Sequence, residues 1–185
     1  MKKINLANVK EASDGNRLPP GGYVCKYTKV EDDPKKEYLS MEFDIAEGEF
    51  KGHYKEVEKE HNFWGGRTIR SYKEKALPFF KRMCSAVAKS NPGFVFDGGD
   101  QNADEKTLVG KFVGLVLAEE EYIGNDGNLK TRLYVHKECD VKEIREGKFK
   151  IPNLKELSAE AKGKVASNND FMNVPEGDDE AIPFD

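Results

Sequence analysis

The sequence predicts an all-β fold with one main helix, and three observations carry that expectation. Residues 36–46 alternate cleanly, with Leu39, Met41, Phe43 and Ile45 on one face and Lys36, Tyr38, Ser40, Glu42 and Asp44 on the other. The period changes once, where Ala76, Phe80, Met83, Cys84 and Val87 recur at helical spacing. Near the other end, Asn125-Asp126-Gly127-Asn128 separates two β-forming runs, and these residues tolerate the positive φ that a tight hairpin needs.

Residues 1–20 read as a polar extension that ends in the breaker cluster Leu18-Pro19-Pro20-Gly21-Gly22. A first strand is expected over residues 23–30, rich in Tyr, Val and Thr, and Glu31-Asp32-Asp33-Pro34 turns the chain into the second. A third strand is expected over residues 55–64; its first half is crowded with charge, and Gly65-Gly66 ends it. In the helix, Pro78 suits the first turn and Asn91-Pro92-Gly93 is the stop. Residues 93–108, with Asp97-Gly98-Gly99-Asp100, read as loop. Residues 110–118 are apolar on both faces and so predict a buried fourth strand. In the fifth, residues 129–136, Leu129, Thr131, Leu133 and Val135 point inward while Lys130, Arg132, Tyr134 and His136 point outward. A short helix is expected over residues 154–164, after Ile151-Pro152. Three strands, a helix and a two-stranded hairpin is the order of a five-stranded oligonucleotide/oligosaccharide-binding (OB) barrel, an order that other small mixed β folds share.

With 185 residues, 37% hydrophobic and 35% charged, the chain suits one domain with an appendage. The expected division is an extension (1–20), the barrel (21–152), and a linker with an acidic tail (153–185). The longest apolar run, residues 112–118, falls far short of the ~20 needed to span a bilayer, and the basic start has no apolar stretch behind it as a signal peptide would. Cys25, Cys84 and Cys139 are odd in number and widely spaced, which suits a reducing cytosol. Membrane-spanning, secreted and collagen-like classes are excluded on these grounds.

Charge is unevenly placed. Of 34 acids, six lie in residues 166–185, where there is no Lys or Arg; the 28 others face 30 bases, so the body carries +2 and the tail −6. The last residues, Asp178, Asp179, Glu180, Ala181, Ile182, Pro183, Phe184 and Asp185, set an apolar hook behind carboxylates. Solubility does not require Ile, Pro and Phe there, so the stretch reads as a docking peptide, with Phe184 in a pocket and the acids on a basic rim.

Single-stranded nucleic acid requires cations for its backbone and flat rings for its bases. Residues 63–73 interleave Phe63, Trp64 and Tyr72 with Arg67, Arg70 and Lys73 around Gly65-Gly66. Trp64 reads as a stacking platform, whereas Phe63 reads as core. The outward row Lys130, Arg132, Tyr134 and His136 supplies the same chemistry, and Lys26, Tyr27, Lys36 and Tyr38 extend the surface. Glu119-Glu120-Glu121 would repel phosphates and must point elsewhere for this to hold. No Cys-x-x-Cys occurs, the three His are not spaced with any Cys, and the acids of residues 97–105 lack the order of a calcium loop. Without a phosphate-loop motif or paired carboxylates, there is no ground for an enzyme, a metal or a cofactor.

Gly48-Glu49-Phe50-Lys51-Gly52-His53-Tyr54, Gly110-Lys111-Phe112-Val113-Gly114, Glu119-Glu120-Glu121-Tyr122 with Gly127, and Ile144-Arg145-Glu146-Gly147-Lys148-Phe149-Lys150-Ile151-Pro152 resemble a family of phage-encoded proteins. That family, formerly of unknown function, is regarded as single-stranded DNA-binding, and the resemblance spans roughly residues 15–152. Separately, Asp178, Asp179, Glu180, Ile182, Pro183 and Phe184 resemble the acidic tip of bacterial and phage single-stranded DNA-binding proteins. Two departures are Ala181, which interrupts the acids, and Asp185, which takes the terminal carboxylate off Phe184. The resemblance implies a DNA-binding barrel of phage replication or recombination in a bacterial cytoplasm, with a tip that recruits partner proteins. The alternative is an adaptor that uses the tip but binds no DNA.

Overall fold

The computed structural model describes residues 18–99 and 102–158. Its centre is a five-stranded antiparallel sheet: β1 (Gly21–Asp33), β2 (Tyr38–Ile45), β3 (Arg67–Ser71), β4 (Phe112–Ile123) and β5 (Leu129–Cys139), in the order β3-β2-β1-β4-β5. Among the described residues no backbone ladder joins β3 to β5, so the sheet is open there. Helix α1 (His53–His61) precedes β3, α2 (Leu77–Ser90) lies between β3 and β4, and α3 (Val141–Arg145) comes after β5.

The second strand falls as its alternation predicts, with Leu39, Met41, Phe43 and Ile45 buried and the intervening residues partly exposed. β1 runs through Glu31, Asp32 and Asp33, which still pair with Ser40, Leu39 and Tyr38; the turn is confined to residues 34–37. A register shift between Tyr27 and Lys29 lets both Tyr27 and Val30 face the core. From α2, Phe80, Met83, Cys84 and Val87 pack on that inner face, with Pro78 in the first turn. Each fully buried apolar side chain of this kind contributes ~1.5–3 kcal/mol. Val113 to Ala118 are all buried, as apolarity on both faces requires. The outer side of β4 is closed by α3 and the segment beyond it: a methyl at Gly114 would meet Ile144 and the Asp140 carbonyl, and one at Gly22 would meet the Phe149 ring. Leu18 and Lys155, on either side of residues 21–152, belong to the same packed body.

Two expectations are overturned. Residues 55–64 form no strand; most of them lie in α1. Lys55, Glu56, Glu58, Lys59 and Glu60 are good helix formers, and only Tyr54 is buried, so no face demands a two-residue period. Gly52 (φ 78°) and Asn62 (φ 52°) bracket the helix in left-handed conformation, and the Asn62 N–H donates to the Glu58 carbonyl. The third strand is β3, inside the segment expected to carry the binding chemistry. Residues 154–158 are not helical either; residues 159–164 lie outside the described residues. Instead Lys155 adds a parallel bridge at Glu120, with the Glu121 N–H donating to its carbonyl (2.9 Å) and its own N–H donating to Glu119 (3.0 Å). The bridge lies just beyond Leu117, where β1 gives out at Gly21.

Candidate nucleic-acid interface

On the outer face of β1, β2 and β3 the registers line up three rows: Arg67–Glu42–Lys29, Ile69–Ser40–Glu31 and Ser71–Tyr38–Asp33. Ile69 is 51% exposed, and Phe63, in the loop before β3, is 64% exposed. Lys36 lies in the β1–β2 turn, 5.9 Å from the centre of the Tyr38 ring and 3.5 Å from Asp33. Lys26, Arg67 and Lys73 are exposed and Tyr38 is half-buried. Arg67 pairs with Glu42 at 2.6 Å, and Lys29 with Glu31 at 2.9 Å.

Several expected site residues do other work. Tyr27 is fully buried and cannot stack a base. Its hydroxyl is pushed far above its ordinary range, first by burial and then by Glu138. Arg70 lies opposite Leu39 and so faces inward; it forms an ion pair with Glu138 of β5, whose side chain is fully buried, and Arg82 of α2 approaches the same carboxylate at 3.7 Å. Arg70 Nη2 also donates to the Val135 carbonyl. Side chains thus span the gap that no backbone ladder closes. Trp64 is half-buried, donates through Nε1 to the Gly66 carbonyl (3.0 Å) and packs beside Tyr54. Phe63, expected in the core, holds the exposed position. Tyr72 donates to Asp32 (2.8 Å) and sets its edge on Phe80; burial, then the Asp32 bond, pushes its hydroxyl up to about 12.

The β5 row is exposed at Lys130, Arg132 and His136 and half-buried at Tyr134, but its cations are engaged. Lys130 pairs with Asp126 (2.6 Å) and Arg132 with Glu120 (2.8 Å) while stacking on Tyr122. Tyr134 carries Lys155 over its ring and lies 3.5 Å from His136. Glu120 stands directly across from Arg132, so this acid does not point elsewhere; it belongs to the row.

The structure brings together the outer face of the first three strands, where exposed Ile69 and half-buried Tyr38 lie among Lys29, Lys36 and Arg67; Phe63 is exposed in the loop before β3, on the side of Gly65 and Tyr54.

No family model and no curated protein matches the chain.

Interleaved rings and cations single out residues 63–73 in the sequence, but they pass over Ile69, which only the register places in the row next to Tyr38, and Lys29, which it places in line with Arg67. A second surface runs along α2: a groove of about 850 Å³ between α2 and the loop through Val95, Phe96 and Asp97, with Leu77 46% and Val95 55% exposed at its lips. Cys25, Cys84 and Cys139 are free and buried, and burial raises all three thiols. Among the described residues no group of His, Cys, Asp and Glu is placed to hold a metal, and no helix is long and apolar enough to cross a membrane. Asp178, Asp179, Glu180, Ile182, Pro183, Phe184 and Asp185 lie outside the described residues.

Proposed function

We propose that the protein binds single-stranded DNA, without catalysis, on the outer face of β1, β2 and β3. In this reading the sheet is an OB barrel left open between β3 and β5 and held there by Arg70 and Glu138; the strand order is that of such a barrel cut at this seam. The observation that carries the proposal is exposed Ile69 and half-buried Tyr38 set among Arg67, Lys29 and Lys36 on the strand two–three face that such barrels use, with exposed Phe63 in the loop that leads into β3. Bases stack on Phe63 and Tyr38, and phosphates displace Glu42 from Arg67. The protein serves phage replication or recombination in the host cytoplasm, and its acidic tip recruits proteins of that machinery.

The test is fluorescence anisotropy with a labelled 15-residue oligothymidine. Phe63→Ala and Tyr38→Ala are each expected to cost ~1–3 kcal/mol in binding, with the melting temperature little changed. Absence of binding by the wild type overturns the proposal. One observation favours the adaptor reading: Arg67, Arg70 and Arg132 are each ion-paired with a carboxylate, while the α2 groove lies open. An adaptor would ignore the oligothymidine yet still retain partners through the tip.

A further inference from the structure

We infer that the DNA path continues across β1 onto β4, where Lys26 and Phe112, paired across the two strands, form a second step of phosphate contact and stacking. This rests on the reading of the outer face as a DNA interface. Lys26 sits on the outer face, between Asp44 of β2 and Phe112 of β4 in the two registers, so the rows around Arg67 lead directly to it. It is exposed, and among the described residues it takes part in no ion pair. That sets it apart from Arg67, Lys130 and Arg132, each of which has a carboxylate that phosphate must first displace.

Phe112 is 37% exposed although it opens a strand that is otherwise buried through Ala118. Its backbone is clamped by one side chain: Asn91 Nδ2 donates to the Phe112 carbonyl (2.8 Å), and the Phe112 N–H donates to Asn91 Oδ1 (3.0 Å). The same Nδ2 also donates to the Val87 carbonyl (2.7 Å), which ties the clamp to the end of α2. Helix and strand therefore present the ring in a fixed place, as a stacking platform requires. Lys111, opposite buried Tyr27, lies on the other side of the strand with its ammonium over the Phe94 ring. The outer-face step therefore consists of Lys26 and Phe112: one cation and one ring, the pairing that the first three strands also present. From β3 to β4 is three strand spacings, ~14 Å. That is about four nucleotides at the 3.4 Å spacing of stacked bases, within the ~4–16 that one such barrel holds.

The experiment uses the full chain, the 15-residue oligothymidine, and a salt titration. Phe112→Leu keeps an apolar contact but removes the flat face, and affinity is expected to fall about five-fold or more. Lys26→Gln is expected to reduce the slope of log affinity against log salt by about 0.7, the loss of one phosphate contact. Wild-type affinity and slope in these variants, alongside a loss in Phe63→Ala, would show that the path ends at β1: the inference fails and the proposed function stands. If the wild type itself does not bind the oligothymidine, both fall. Should Phe112→Leu melt early, Lys26→Gln, at an exposed position outside the core, decides the matter alone.

Discussion

Glu138 has no exposed side-chain surface, yet two arginines converge on it from β3 and α2. A buried carboxylate is tolerable only with such partners, and removing one partner strands the other's charge. Glu138→Leu or Arg70→Met alone is therefore expected to cost ~3–5 kcal/mol of stability. The double variant should recover part of that, because the one charge left without its carboxylate is Arg82, whose side chain reaches solvent; urea unfolding measures both. Full additivity of the two losses would mean that the pair does not act as a unit. Nothing in the sequence marks Arg70 as structural, since its partner lies 68 residues away. Glu138 misleads for another reason. Strict alternation from His136 sends it to solvent, but one extra residue of β5, opposite the Val116–Leu117 step, turns it inward. The Phe63–Trp64 pair is inverted for a related cause: neither ring belongs to a helix or strand, so no period assigns it a face.

The β4–β5 hairpin shows how much local signals settle. Gly127 takes φ 74° in the turn and β5 starts at Leu129 as expected, but β4 runs through Glu119, Glu120 and Glu121 to Ile123, past its expected end at Ala118. Leu129 and Thr131, expected to face inward, are exposed because this end of the hairpin extends beyond the core. Its outer face is a ladder of ion pairs that titrates. Hydrogen bonds from Lys130 and then Asn128 hold the Asp126 carboxyl at about 2. Burial raises that of Glu120, but bonds from Lys155 and Arg132 outweigh it and leave it below its ordinary value. Both groups are lowered in the folded state, so the unfolded chain takes up their protons first as pH falls. Their contribution is present above the ordinary values of 4.5 and 3.8 and is lost on acidification toward about 2. Thermal melts from pH 6 to 2.5 are expected to show that decline, and Glu120→Gln with Asp126→Asn should flatten it; a parallel decline in the variant would place the acid-sensitive groups elsewhere. Helix α1 is hard to read in the sequence because nine residues rich in Lys, Glu and His carry almost no burial pattern. α3 does carry a signal: Asp140 accepts from the Lys142 N–H, and Glu143 stands three residues on, an acidic start of the capping kind.

At the scale of the molecule, a body of +2 carries a tail of −6 in residues 166–185. A tethered polyanion competes with DNA for the same cations. Deleting residues 166–185 is expected to tighten oligothymidine binding, most at low salt and less toward physiological ionic strength, where screening falls to ~8 Å. Affinity unchanged across salt would remove the competition. Phe184→Ala keeps every charge and should leave DNA affinity alone while loosening partners held by the tip. The sheet order has a further consequence, in time. β1 is the central strand, and its hairpin with β2 closes locally at Asp33 and Tyr38, but its other side pairs Gly21 with Leu117, 96 residues later. At a synthesis rate of ~5–20 residues per second, that side waits about 5–20 s for its partner on the ribosome. For that interval the future centre of the sheet is an edge, and an unpaired edge invites other chains. Lys26 and Lys29, facing outward from it, then serve as guards against misassembly before the fold is complete.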